Sequence, residues 1–391
     1  MVILERSHLQ QFLSAIQKRS YRIIGPTQRG TAIVLDEISS ADDLPAGWGD
    51  EQRPASYRLR RNDDKRLFGH AAGPESWKKF LFPPSLNLFS GRRAGKSFEV
   101  ISPQNGRNTG AADEKIVPLA FFGMRACDLQ ALRIHDAVFM NCAYPDPYYR
   151  SRRERLLIVA VTCSSAGGTC FCDSMGSGPA AGEGYDLALT EILRGDEHYF
   201  LVETGSPRGA EILKGVPVKA AGKAEEEEKN RLVQGVRKSM GRSLDTRGLR
   251  EMLDLCFEDS QWDDVAKRCL ACANCTMVCP TCFCSTVEDV TDLTGAQAER
   301  VRKWDSCFTQ EFTYIHGGSV RPSIRSRYRQ WLTHKLAHWV DQFGTSGCVG
   351  CGRCITWCPA GIDITEEAGV LRRHAALDPR YRKETEPHGK P

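Results

Sequence analysis

Short apolar segments of strand length alternate with helical patterns in the first half of the chain. Apolar runs over residues 31–37, 116–123 and 156–163 predict β-strands, and the periodic apolar residues over 128–140 predict an amphipathic helix. Strands that alternate with helices are typical of an α/β domain. We therefore predict an α/β domain in the N-terminal part of the chain.

The pattern changes in the second half. Gly, Pro and Ala residues over 205–229 end in the acidic run 225–228, which is typical either of a linker or of the acidic first turn of a helix. Beyond it, residues 248–260, 262–269 and 325–342 have helical periodicity, and no segment indicates a strand. The sequence thus predicts an α+β fold overall, with an α/β domain over residues 1–225, an all-α domain over 226–380 and a flexible tail over 381–391.

Composition excludes several function classes. The 391 residues carry 53 basic and 49 acidic side chains without a basic arm, so we expect no nucleic-acid partner. Residues 1–20 do not have the pattern of a signal peptide, and the longest apolar runs fall far short of the roughly 20 residues that span a bilayer. Seventeen cysteines in such a chain indicate metal or redox chemistry in the cytoplasm rather than disulfides.

Eight of the cysteines form two runs with the same spacing, C-x2-C-x2-C-x3-C-P. This spacing is that of ferredoxins with two [4Fe–4S] clusters, in which the fourth cysteine of each run ligates the other cluster. A zinc site is the alternative, but zinc sites use two separated cysteine pairs and not three closely spaced thiolates with a Cys-Pro. We therefore predict two [4Fe–4S] clusters, the first held by Cys269, Cys272, Cys275 and Cys358 and the second by Cys348, Cys351, Cys354 and Cys279.

Four further cysteines follow the ends of two predicted strands. Cys127 and Cys163 lie at the carboxyl ends of these strands, which is the edge where open α/β sheets bind ligands. The Gly-containing segment 164–169 allows Cys170 and Cys172 to return to that edge. These four are candidate ligands of a third cluster, and the alternative is that they are small buried hydrophobic residues.

Three cysteines remain near the first run. Cys282, Cys284 and Cys307 are candidate ligands of a further cluster with a non-cysteine fourth ligand, or weak donors that line a cluster, or residues that bind nothing. Cys142 and Cys256 stand alone on helical patterns, and we interpret them as core residues.

A group of basic residues lies between the two runs. It is interpreted either as a solvated helix face or as a set of cations that stabilise the reduced clusters. No Gly-x-Gly-x-x-Gly follows a strand, so we expect no NAD(P) site in this chain. The basic residues are Arg321, Arg325, Arg327, Arg329, His334, Lys335 and His338.

Several strings together are more specific than the cysteine runs. The strings are Gly-Met-Arg-Ala-Cys-Asp-Leu at 123–129, Cys-Phe-Cys at 170–172 with Met-Gly-Ser-Gly-Pro at 175–179, Cys-Pro-Thr-Cys-Phe-Cys at 279–284, Trp-Asp-Ser-Cys at 304–307 and Gly-Cys-Gly-Arg-Cys at 350–354. With them, residues 75–365 resemble the family that comprises the beta subunit of sulfhydrogenase-type cytoplasmic [NiFe] hydrogenases and the corresponding iron–sulfur subunit of anaerobic sulfite reductase. Residues 1–74 carry no string that matches this family.

The resemblance implies an electron-transfer subunit. Such a subunit relays electrons between a flavin- and NAD(P)-binding, diaphorase-type subunit and a catalytic subunit of hydrogenase or sulfite reductase type, and is itself non-catalytic. Two alternatives remain: a regulatory protein whose cluster senses oxidants, and a self-sufficient enzyme with its own substrate pocket. A sensor needs one exposed, labile cluster, and an enzyme would need a flavin or NAD(P) fingerprint.

Overall fold

The computed structural model of this chain describes residues 1–101 and 117–378. Its strands are β1 (Val2–Glu5), β2 (Arg22–Arg29), β3 (Ala32–Glu37), β4 (Trp48–Arg53), β5 (Ser56–Arg61), β6 (Ser85–Ala94), β7 (Ser97–Ile101), β8 (Leu119–Arg125), β9 (Leu157–Val161), β10 (Leu187–Arg194), β11 (Glu197–Thr204), β12 (Lys219–Ala220), β13 (Ser285–Thr291), β14 (Gln297–Trp304), β15 (Tyr314–Ile315) and β16 (Gly318–Ser319). Its α-helices are α1 (Leu9–Gln17), α2 (Lys78–Leu81), α3 (Ala126–Phe139), α4 (Pro147–Arg153), α5 (Pro207–Leu213), α6 (Lys223–Lys238), α7 (Leu249–Leu255), α8 (Gln261–Arg268), α9 (Asn274–Met277), α10 (Ile324–Thr333), α11 (Trp339–Phe343), α12 (Arg353–Thr356) and α13 (Ile364–Leu377). A π-helical segment, His334–His338, joins α10 to α11.

The largest sheet has eight strands in the order β12-β1-β11-β10-β9-β8-β2-β3. Its central strands β10, β9, β8 and β2 are parallel neighbours, and the outer pairs are antiparallel. Every residue of β9 is buried, as expected for a parallel strand that is covered on both faces. The mixed α/β character predicted for this part of the chain is confirmed.

The strands and helices predicted in the first half form close to their predicted positions. The run at 31–37 contains β3, the run at 156–163 contains β9, and the helical pattern at 128–140 corresponds to α3. The run at 116–123 becomes β8, although residue 116 lies outside the described residues. Because β8 and β9 are parallel neighbours, with Arg125 paired to Val161, both strands end at the same edge of the sheet.

The helices predicted in the second half are also present. The patterns at 248–260 and 262–269 contain α7 and α8, and the pattern at 325–342 corresponds to α10, the π-helical segment and α11. These helices and α13 enclose a second hydrophobic core around Trp262, Trp331 and Leu371. The acidic run 225–228 lies in the first two turns of α6, so it begins a helix.

The prediction of an all-α C-terminal domain is wrong in one respect. Strands β13 and β14 form an antiparallel hairpin there, which joins β6 and β7 in a four-stranded sheet. No residue of β13 is buried, so its sequence lacks the apolar alternation that reveals a strand. Cross-strand ion pairs such as Lys303–Glu288 and Arg300–Asp289 occupy the surface of the hairpin instead.

The segment without a matching motif, residues 1–74, completes the fold around the cysteines. It supplies β1, β2 and β3 to the main sheet and the separate hairpin β4–β5. From β4, the buried Gln52 accepts hydrogen bonds from Thr356 (2.9 Å) and Thr169 (3.3 Å), which belong to two different cysteine-bearing segments. This segment therefore positions both of them.

The predicted domain boundary and the predicted C-terminal tail are not tested by the structure. The boundary at residues 225–226 stays a prediction, and the tail over 381–391 lies outside the described residues. Within residues 1–101 and 117–378, no helix is both long enough and apolar enough to cross a bilayer.

Candidate iron–sulfur sites

The two cysteine runs fold alike. In each, the chain adopts a left-handed conformation at two residues between the cysteines, Ala271 and Ala273 in the first run and Gly350 and Gly352 in the second. A one-turn helix follows each pair, α9 after Ala273 and α12 after Gly352. The amide of Ala271 donates to Cys269 Sγ, and that of Gly350 to Cys348 Sγ, both at 3.4 Å. Both runs therefore aim backbone N–H groups at thiols.

The predicted ligands of the first cluster surround one cavity. Cys269, Cys272 and Cys275 of the first run line it together with Cys358 from the end of the second run, and Cys354 borders it as well. The rest of the wall is largely apolar and includes Phe308, Tyr328, Trp331 and Ile362. The thiol of Cys358 thus lies with the thiols of the other run, as the crossed ligand pattern requires.

The protonation of these thiols depends on what the cavity holds. Burial raises the pKa of the Cys275 thiol well above its ordinary value, and the nearby Cys269 and Cys358 thiolates raise it further. A thiol in this position stays protonated unless a cation compensates for its charge. Bound iron would supply that compensation, because metal binding deprotonates the thiols that ligate it.

The predicted ligands of the second cluster are also close enough to affect one another. Burial raises the pKa of Cys354, and the Cys348, Cys351 and Cys279 thiolates add to the increase. Burial raises the pKa of Cys348 to about 12, although the ammonium group of Lys335 opposes the shift. Cys279 therefore lies in the electrostatic environment of the second run, and it also raises the pKa of Cys275 in its own run.

The four cysteines predicted at the edge of the main sheet line a third cavity. These are Cys127, Cys163, Cys170 and Cys172, and Cys351 of the second run completes the thiol wall. Cys127 lies at the start of α3, directly after β8, and Cys163 follows β9. Burial raises the pKa of Cys170 to about 12, with a further contribution from Cys163. The common edge of two parallel strands thus brings these thiols together.

The third cavity adjoins the second run through backbone contacts. Phe171 N donates to Gly350 O at 2.8 Å, and Ser177 Oγ donates to Val349 O at 2.6 Å. Since Cys354 borders the first cavity and Cys351 borders the third, the second run lies between them. The second group of thiols therefore adjoins both of the others, and we call this succession of three groups a row.

A buried ion pair, which sequence reasoning missed, connects the third group to the second. Arg353 Nη2 lies 3.0 Å from a carboxylate oxygen of Asp128, and both side chains are 3 % exposed. Asp128 follows Cys127 directly, and Arg353 lies between Cys351 and Cys354. The only sequence signal was that each charged residue adjoins a predicted ligand.

The remaining cysteines have different environments. Cys282 and Cys279 contact each other through their thiols, and so do Cys284 and Cys307. Cys256 is buried, in agreement with its predicted place in the core. The same prediction is wrong for Cys142, which is exposed because it lies beyond the end of α3.

The basic residues between the runs divide between the two interpretations. Arg325 and Arg329 each form an ion pair with Glu258 at 2.9 Å on the surface, as on a solvated face. Lys335 is buried, and its ammonium group donates to Cys279 Sγ at 3.3 Å. Burial lowers the pKa of His334 to about 4, so that residue is neutral at pH 7.

The donor chemistry of the three thiol groups fits [4Fe–4S] clusters, which proteins hold mainly by four thiolates. Within the described part of the chain, no three His, Cys, Asp or Glu side chains are grouped tightly enough for a single metal ion. The cysteines are instead distributed around the walls of cavities.

Replacing Gly350 by Ala tests how closely the second run approaches the third group. Gly350 has φ +63°, and a Cβ atom there would lie 2.6 Å from Phe171 O and 2.7 Å from Cys172 N. We expect Gly350→Ala to reduce both the iron content and the melting temperature. The matched control is Gly344→Ala, because Gly344 has φ +67° and open space around it. The free energy of unfolding of that control should fall by only about 1–2 kcal/mol, the cost of a left-handed backbone for a residue with a Cβ atom. Equal losses in both variants would contradict the close approach.

Together, the mixed α/β sheet and the groups of thiols beside it define the class of this protein, an iron–sulfur protein. The family model for a 4Fe-4S dicluster domain matches residues 268–362, which include both cysteine runs. The chain is 30 % identical over 379 residues to sulfhydrogenase 2 subunit beta of Pyrococcus furiosus, covering 95 % of this chain and 98 % of that relative. No solved structure matches the chain.

The chain belongs to the sulfhydrogenase beta-subunit family, since the similarity extends over nearly the whole of both proteins. It is therefore an iron–sulfur subunit with a 4Fe-4S dicluster domain.

Proposed function

We propose that this chain relays electrons within an oxidoreductase complex, between a flavin- and NAD(P)-binding subunit and a catalytic subunit of hydrogenase or sulfite reductase type. The row of three thiol groups is the observation that carries this proposal. A row of clusters suits electron transfer between two partners, whereas a single exposed cluster would suit a sensor. The chain itself is non-catalytic in this proposal.

The proposed ligands follow the crossed pattern. Cys269, Cys272, Cys275 and Cys358 hold the first [4Fe–4S] cluster, and Cys348, Cys351, Cys354 and Cys279 hold the second. Four thiols around the first cavity and the contact of Cys279 with Lys335 support this division. When bound, each cluster supplies one-electron transfer at a potential set by its ligands, hydrogen bonds and burial.

The third proposed cluster lies at the edge of the main sheet, held by Cys127, Cys163, Cys170 and Cys172. The cavity that these thiols line together with Cys351 supports it. Cys282, Cys284 and Cys307 stay candidate ligands of a further cluster. Their close thiol contacts support a role near the second cluster, and a fourth ligand from the protein is not apparent among the described residues.

The chain's own residues define the two ends of the relay. Cys272 is the exposed member of the first group, so this end faces a partner at the surface. At the other end, the third cavity lies under Val236 and Met240, at the C-terminal end of α6 and just beyond it. Electrons enter at one end and leave at the other, and the wall of the first cavity is largely aromatic and aliphatic.

The proposed partners rest on the family. The relative is named as a beta subunit, which implies further subunits in its complex. We propose that this chain likewise assembles with a diaphorase-type subunit and a catalytic subunit, in the cytoplasm.

Iron analysis of the full-length chain, purified anaerobically, tests the proposal. Two clusters predict about eight iron atoms per chain with equal acid-labile sulfide, and a third predicts about twelve. Dithionite should bleach the visible absorbance and produce the electron paramagnetic resonance (EPR) spectrum of interacting clusters. NADPH alone should not, because the flavin belongs to a partner. Zinc without sulfide, or full reduction by NADPH alone, would contradict the proposal.

A further inference from the structure

Lys335 occupies an unusual place for a lysine. It is buried between the two cysteine runs, in the π-helical segment His334–His338. Such segments are rare, and they occur frequently at functional sites. The carbonyl of Lys335 accepts hydrogen bonds from outside this segment.

Both ends of Lys335 hold the runs in place. Its Nζ donates to Cys279 Sγ (3.3 Å) and to Thr281 Oγ1 (2.9 Å), at the end of the first run. Its carbonyl oxygen accepts from Gly347 N (2.8 Å) and Ser346 Oγ (3.1 Å), just before the second run. Ser346 Oγ in turn accepts from Cys348 N at 3.1 Å. Lys335 therefore bridges the two segments that supply the second cluster.

The charge of Lys335 has no carboxylate to balance it. Among the described residues, no Asp or Glu forms an ion pair with Lys335, whereas Arg353, the buried cation within the second run, is paired with Asp128 at 3.0 Å. A buried and unpaired ammonium group is costly in free energy unless a counter-charge lies beside it. Here the counter-charge is the thiolate of Cys279 and the cluster that it ligates.

We propose that Lys335 is a positioning residue that raises the reduction potential of the second cluster, so that this cluster is reduced before its neighbour. A fixed cation favours the more negative, reduced state of a cluster. The wall of the first cavity is largely apolar, and the buried Arg327 near Cys269 is not among the residues that line it. The second cluster, in the middle of the row, would then be the one that is reduced when the chain carries a single electron. This inference rests on the proposed assignment of Cys279 to the second cluster.

Redox titration of the full-length chain, followed by EPR, tests the proposal. Lys335→Met removes the charge and keeps the length of the side chain. We expect the midpoint potential of one cluster to become more negative while the iron content stays the same. Lys335→Arg keeps both the charge and the donor and should keep most of the potential, whereas Lys335→Gln keeps a donor without the charge and should not, a difference that a purely structural role would not predict. If the Met variant fails to load iron, Lys335→Gln provides an uncharged side chain that still donates.

Lys78→Met is the matched control. Lys78 is also a buried lysine, but its Nζ donates to the carbonyl of Cys282 (3.1 Å) and not to a thiol. Its removal should shift the potential less. Unchanged potentials in an uncharged Lys335 variant with full iron content would overturn the inference. A wild-type iron content in Cys279→Ser would instead overturn the ligand assignment, so the two failures are distinguishable.

Discussion

Replacing Cys358 by Ser is expected to remove about four iron atoms from the chain, the content of one cubane. The lost cluster should be that of Cys269, Cys272 and Cys275, which lie more than 80 positions earlier in the sequence but line the same cavity as Cys358. Serine is a poor replacement for a thiolate ligand, and the empty cavity would leave the Cys275 thiol protonated, because its pKa is well above the ordinary value.

Double variants identify which cluster is lost. If Cys275 and Cys358 ligate one cluster, Cys275→Ser with Cys358→Ser should lose no more iron than either variant alone. Cys348→Ser with Cys358→Ser should lose about eight iron atoms, because two clusters are damaged. An uncrossed arrangement predicts the reverse for both pairs. Cys142→Ser is the control, since that thiol is exposed and apart from the three groups.

The sequence predicted the parts of the structure that local pattern determines. The spacing of the runs predicted two loops around clusters, and the loops indeed share their left-handed turns and short helices. The apolar runs before Cys127 and Cys163 predicted two strands, whose ends meet at one edge if the strands are parallel neighbours, and β8 and β9 are such neighbours.

Long-range features could not be predicted in this way. The hairpin β13–β14 has no apolar alternation that would reveal it, because ion pairs cover its surface. Its partner strand β6 lies about 200 positions earlier in the chain, so no local pattern predicts the pairing. Lys335 and Arg327 belong to the same basic group as Arg325 and Arg329, but only the first two are buried, and the tertiary fold alone makes this distinction. The pairing of Asp128 with Arg353 likewise requires two distant segments to meet.

Substitution in the third thiol group is expected to cause the other large loss of iron. The full-length chain should be used for this measurement. Cys351 forms part of the wall of that cavity, so a fragment without the second run would leave it open. In the complete chain, we expect Cys163→Ala to lose about four iron atoms relative to the parent protein. The dicluster signals of the reduced sample should persist, because Cys163 is not among the eight thiols of the two runs.

A second substitution distinguishes the loss of a ligand from damage to the fold. Cys127 and Cys163 follow two neighbouring parallel strands. If both thiols ligate one cluster, adding Cys127→Ser to Cys163→Ala should remove no further iron. Thr162→Ala is the matched control, since its buried side chain adjoins Cys163 and is not a thiol. If Cys163→Ala keeps the parental iron content, the third cluster is absent. These four cysteines are then small buried residues, and the clusters are limited to the first two groups. Loss of all iron in both Cys163→Ala and Thr162→Ala would indicate instead that this edge of the sheet supports the fold of the whole chain.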